Sequence, residues 1–82
     1  MAVIHRTGGF RIVIYTLDHE PAHVHITGPG QAKVNLVGAG GGAELIYSMG
    51  IKPADLRRLM TEIRTRQAEF LARWEQIHGP FD

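Results

Sequence analysis

Asp18-His19-Glu20-Pro21-Ala22-His23-Val24-His25-Ile26-Thr27 is the stretch from which the fold of this chain can be read. From Ala22 onward it alternates. Ala22, Val24 and Ile26 fall on one side, and His23, His25 and Thr27 on the other. A period of two is the signature of a half-buried strand. Just upstream, Asp18 can bond its own downstream backbone, and Pro21 has no N–H to give to a ladder. Residues 17–21 therefore read as the connection into this strand.

Working outward, residues 10–16 (Phe-Arg-Ile-Val-Ile-Tyr-Thr) are rich in β-branched and aromatic residues and predict a second strand. One face carries Phe10, Ile12, Ile14 and Thr16; the other carries Arg11, Val13 and Tyr15. Residues 2–6 lean toward β, and Gly8-Gly9 breaks them. On the other side, Gly28-Pro29-Gly30 is a turn signal. Residues 31–37 alternate again, with Ala32, Val34 and Leu36 opposing Lys33, Asn35 and Val37. They complete a hairpin with residues 22–27. Gly38-Ala39-Gly40-Gly41-Gly42 is too rich in glycine for regular structure. It reads as a flexible hairpin loop, since the lysine and following helix of a P-loop are missing. Residues 44–49 suit a further strand.

Past Gly50 the period changes. Pro53 fits a first helical turn, and Asp55 complements the helix dipole there. Leu56, Leu59, Met60, Ile63, Phe70, Leu71, Trp74 and Ile77 trace one stripe at spacings of three and four. Gln67 sits on that stripe and weakens it, and Gly79-Pro80 stops the helix. The opposite face holds Arg57, Arg58, Glu62, Arg64, Arg66, Glu69, Arg73 and Glu75. That mixture reads as a solvated face with pairs such as Glu62 with Arg66. A helix of about 25 residues spans roughly 38 Å, more than a small sheet is wide, so one end overhangs or meets a partner.

The expectation is a single α+β domain over residues 1–82. It has a small antiparallel meander of three to four strands packed on one long C-terminal helix. The helix covers Phe10, Ile12, Ile14, Val24, Ile26, Val34 and Leu36. Arg11, Tyr15, His23, His25, Lys33 and Asn35 take the other face, with both imidazoles looking away from the helix. A one-residue slip would reverse these sides.

Composition bounds the chemistry. The 82 residues include no cysteine, which excludes disulfides and thiolate metal sites and fits a reducing compartment. The N-terminus lacks the apolar core of a signal peptide, and no apolar run approaches the ~20 residues that span a bilayer. A soluble, cytoplasmic protein without membrane contact is expected. The formal net charge is +1, so bulk charge argues for no nucleic-acid partner.

Three of the five histidines lie in the opening stretch. His23 and His25, two apart on a strand, project from one face with Cα atoms roughly 6.5–7 Å apart. They suit a divalent metal, with His19 or Asp18 as third ligand. They equally suit metal-free acid–base chemistry on RNA, which needs no cofactor. In that reading Lys33 or Arg11 stabilises developing charge, and Tyr15 stacks or donates a hydrogen bond. The plainest reading is structural: Asp18 and His19 cap a turn, and His23 and His25 are exposed or meet a partner chain. His5 and His78, isolated in the sequence, read as surface or packing residues.

Gly9-Phe10-Arg11-Ile12, the run Asp18-His19-Glu20-Pro21-Ala22-His23-Val24-His25, Ala32-Lys33-Val34, Lys52-Pro53, Leu56 and Leu71-Ala72-Arg73-Trp74 together form a pattern. It resembles the small bacterial proteins grouped as domain-of-unknown-function family 4160. Ala22 stands where that family often has a second proline, and the loop at residues 38–42 is longer and richer in glycine than usual. The resemblance implies a toxin–antitoxin-type context and a site at Asp18, His19, His23 and His25. The leading expectation is then a toxin–antitoxin-type component acting on RNA, with a small ribonuclease as the open enzyme assignment. His23 and His25 would be acid and base, His19 with Asp18 would orient a ring, and Arg11, Tyr15, Lys33 and Asn35 would hold substrate. The rivals are a non-catalytic, antitoxin-like binding module and a metal-binding protein using His19, His23 and His25. The binding module would dock a small cognate protein from an adjacent gene through a sheet edge or the helix. Self-association is compatible with each.

Overall fold

The computed structural model describes residues 1–79; Pro80, expected to help stop the helix, lies outside them. Five strands come first: β1 (Ala2–Thr7), β2 (Phe10–Ile14), β3 (His23–Thr27), β4 (Gln31–Asn35) and β5 (Glu44–Met49). Each pairs antiparallel with its chain neighbour, giving the order β1-β2-β3-β4-β5. The α+β class and the meander agree with the sequence. The strand number is corrected from three or four to five, because residues 2–7 and 44–49 both find ladders.

The register follows the alternation. Val24 opposes Val34 and Ile26 opposes Ala32, while His25 sits between Val13 and Lys33. One face of the sheet carries Phe10, Ile12, Ile14, Val24, Ile26, Ala32, Val34 and Leu36, all buried. The helices α1 (Pro53–Thr65) and α2 (Gln67–His78) supply Leu59, Met60, Ile63, Phe70 and Trp74 to the same core. Each such side chain fully removed from water contributes on the order of 1.5–3 kcal/mol.

The single long helix of the sequence reading is thus two, separated at Arg66, whose backbone departs from helical values at φ −104° and ψ 17°. Two local features accompany the break. Thr61 and Thr65 return their hydroxyls to the carbonyls of Arg57 and Thr61, a back-bonding that bends helices. Beyond the break, Gln67 donates its side-chain amide to the carbonyls of Leu36 and Gly41, at 2.6 and 2.9 Å. The glycine loop also closes on itself, with the Gly38 and Gly41 amides bonding Gly42 and Gly38 carbonyls. Bonds from the Arg66 amide to the Glu62 carbonyl and from the Phe70 amide to the Arg66 carbonyl cross the junction. The apolar stripe therefore runs on from α1 to α2. No helix among the described residues is long and apolar enough to cross a membrane.

Candidate functional site

The connection between β2 and β3 builds the site. It turns at Asp18, whose amide bonds the Tyr15 carbonyl, while its Oδ2 accepts the Tyr15 amide at 3.1 Å. This double tie holds the carboxylate over the start of β3. Asp18 Oδ2 then lies 3.3 Å from His23 Nε2, and Asp18 Oδ1 lies 3.5 Å from His25 Nε2. One ligand-capable atom from each of the three residues lies within 4.8 Å of the other two.

The imidazoles are not equivalent. His23 is only 4% exposed, and its Nδ1 is 2.8 Å from the Pro21 carbonyl oxygen. A carbonyl only accepts, so Nδ1 carries a proton, and Nε2 is the ring atom turned toward Asp18. Nε2 can meet the carboxylate as an N–H donor of the imidazolium, or the two atoms can share a metal ion. His25 is more open, yet its Nε2 is buried and has no hydrogen-bond partner. Burial pushes the His25 imidazole below its usual value; the Asp18 carboxylate opposes that shift, and His23 and Lys33 add to it.

Aromatic walls fix the rings. Tyr15 meets His25 edge-on at 4.8 Å between centroids, and His23 meets His25 edge-on at 5.0 Å. Trp74 of α2 lies 5.2 Å from His23 and is stacked at 4.0 Å on His78. The expectation that both imidazoles look away from the helical side is therefore corrected for His23. It opens β3, and the Trp74 indole belongs to the core and also reaches past it to this ring.

Of the expected site residues, Asp18, His23 and His25 converge, and Tyr15 packs against them. Lys33 is the cross-strand partner of His25, and Asn35 that of His23. The Asn35 Oδ1 is buried without a partner. His19 is exposed and lies outside the three-residue cluster. Arg11 lies farther along β2, opposite Thr27. His5 is part of another contact, 2.9 Å from Glu62 and beside the Phe70 ring. The sequence reading missed Trp74 and His78 as walls of the site. Their only signal was their place on the helical stripe and in the last turn.

The arrangement can hold a divalent ion between three ligands, or it can pass a proton among them. Among comparisons with known proteins, a family model described as "Domain of unknown function (DUF4160)" matches residues 9–75. No curated protein matches, and no solved structure does.

Proposed function

This chain belongs to the DUF4160 family, and from that premise, which carries no activity with it, we propose that it is a metal-binding protein with its centre at Asp18, His23 and His25. The observation that carries this reading is the convergence of three metal-ligating groups, one atom from each of Asp18, His23 and His25 lying within 4.8 Å of the other two. His23 Nε2 faces Asp18 Oδ2 at 3.3 Å, and its Nδ1 bonds the Pro21 carbonyl. A charge-assisted N–H···O bond is shorter, about 2.7–2.9 Å. A tetrahedral ion with bonds of about 2.0–2.1 Å sets its ligand atoms roughly 3.3–3.4 Å apart. The Asp18 contacts, 3.3 Å from Oδ2 and 3.5 Å from Oδ1, are longer than that charge-assisted bond and close to the tetrahedral edge, though they run to the two different oxygens. The Nδ1 bond from a ligating histidine to a backbone carbonyl is the usual outer support of such a ligand. Two imidazoles and a carboxylate suit zinc or another first-row ion, and leave room for a further ligand.

The test is metal analysis of untagged protein after exposure to zinc and exhaustive dialysis. About one equivalent is expected, as for a single built centre, with loss in Asp18→Asn and in His23→Ala. Less than about a tenth of an equivalent in the unaltered protein, given that one built site should fill, overturns the reading.

A second reading is favoured by the lowered basicity of His25 beside Lys33. An imidazole kept neutral at pH 7 is a competent general base. In this reading the protein is a toxin–antitoxin-type component acting on RNA, with His25, the more open of the two rings, as the base and Asp18 orienting the rings. Expression should then arrest growth, and His23→Ala/His25→Ala should abolish the arrest. Full toxicity of that double variant removes the catalytic assignment.

A further inference from the structure

We propose that the β1–β2 hairpin forms a binding site for a phosphate group, held between Arg6 and Arg11 on the sheet face that also carries His25.

Arg6 and Arg11 are direct cross-strand partners in the antiparallel β1–β2 ladder. Like charges in that position repel. Both side chains are exposed, and among the described residues neither takes part in an ion pair. An anion between them removes the repulsion. Carboxylate and phosphate oxygens both match the planar fork of guanidinium, and phosphate has oxygens enough to engage two forks at once.

The walls fit the same ligand. The two arginines border an open cleft of about 560 Å³ with Thr7, Gly8, Gly9 and Gly28. Gly8 and Gly9 have φ of 54° and 83°, the left-handed pair of a tight hairpin turn. The ladder pairs Thr7 with Phe10, so the Gly8 and Gly9 amides lie outside it. Both glycines are exposed, and neither carries a side chain to screen its N–H from an anion. A side chain at Gly8 would collide with the Arg58 guanidinium, which is paired with Asp55 at 3.5 Å and lies outside the cleft lining.

A second observation points from this cleft toward the histidines. Arg11 is the cross-strand partner of Thr27, and the Thr27 hydroxyl oxygen is buried without a hydrogen-bond partner. Two residues along β2 from Arg11, Val13 opposes His25. Alternation puts Arg11, Val13, His25 and Thr27 on one face, with Arg11 diagonal to His25 at about 7–8 Å between Cα atoms. A phosphate on the two arginines therefore shares a sheet face with His25, at the end of β2 away from Asp18 and His23. The ligand class is a phosphate ester whose remainder extends along β2 and β3. That placement of the remainder rests on the proposed function, whereas the phosphate contact itself does not.

The full-length protein, stripped of metal, is titrated with inorganic phosphate and, separately, with a short single-stranded RNA, and backbone amide NMR shifts are followed. Saturable shifts centred on Gly8, Gly9 and Arg11 are expected with both probes. Shifts that reach His25 with RNA at higher affinity identify a diester source. Equal affinity for the two probes identifies a free phosphate or monoester. Arg6→Gln/Arg11→Gln should weaken binding on the order of tenfold or more, since charge-assisted bonds are lost. The same variant should melt no lower than the unaltered protein, because the like-charge pair is gone. Asp18→Asn should keep phosphate affinity within about twofold, as it leaves the hairpin's charges in place. Absence of hairpin shifts, or undiminished binding by the arginine variant, overturns the site. Failure of metal binding with phosphate binding intact leaves it standing.

Discussion

His23 spends its Nδ1 proton on Pro21 and aims Nε2 at Asp18, while His25 aims an unpartnered Nε2 at the other carboxylate oxygen. One carboxylate thus organises two rings. The balance at His25 is set first by burial, which disfavours the imidazolium, and Asp18 works against it. In an NMR titration of the metal-free protein, His25 should protonate below 6.5, and in Asp18→Asn its midpoint should fall further. A midpoint at or above the ordinary value would contradict the burial argument. The paired histidines and Asp18 were legible because they are close in sequence and the strand period aligns them. Trp74 and His78 were not, because only the folding of α2 against the sheet brings them to His23. Nor could spacing show that His19, in the same motif, stays exposed.

The break between α1 and α2 left no gap in the hydrophobic pattern. Ile63, Phe70 and Trp74 keep the spacing of one helix across Arg66 and are all buried. What the pattern recorded as a weak point, Gln67, is a clamp. Its amide reaches two carbonyls, one at the end of the β4 segment and one in the glycine loop. The strands were easier, because alternation and glycine turns mark them locally. The loop before β5 is ordered by a residue far along the chain, which composition alone cannot reveal. Gln67→Ala should cost about 1–2 kcal/mol, the worth of two partly exposed hydrogen bonds. Denaturant unfolding measures it, and a loss below roughly 0.5 kcal/mol, within the range of a neutral surface change, would show that the loop holds its shape unaided.

Across the whole molecule, Glu62 ties the first strand to the helical junction. It accepts from Arg66 at 3.1 Å and meets His5 of β1 at 2.9 Å. The bonds from Arg66 and then His5 hold its carboxyl below the ordinary value of 4.5. A depressed carboxyl means that the unfolded chain takes up the proton first as pH falls. Its contribution is complete above 4.5 and disappears as pH drops through the lowered native value. Melting temperature against pH should show this acid limb, and Glu62→Gln should flatten it. An unchanged limb would assign acid sensitivity to other groups.

The order of the elements has a consequence for how the protein is made. All five strands precede both helices, and each strand pairs with its immediate neighbour. Synthesis proceeds from the N-terminus, while a domain generally folds as a unit. The strands through Met49 therefore emerge before Leu59, Ile63, Phe70 and Trp74, which seal their apolar face. Until those helical residues join, Ile12, Val24, Ile26 and Val34 lack their cover, and transiently exposed apolar surface of this kind is prone to aggregation.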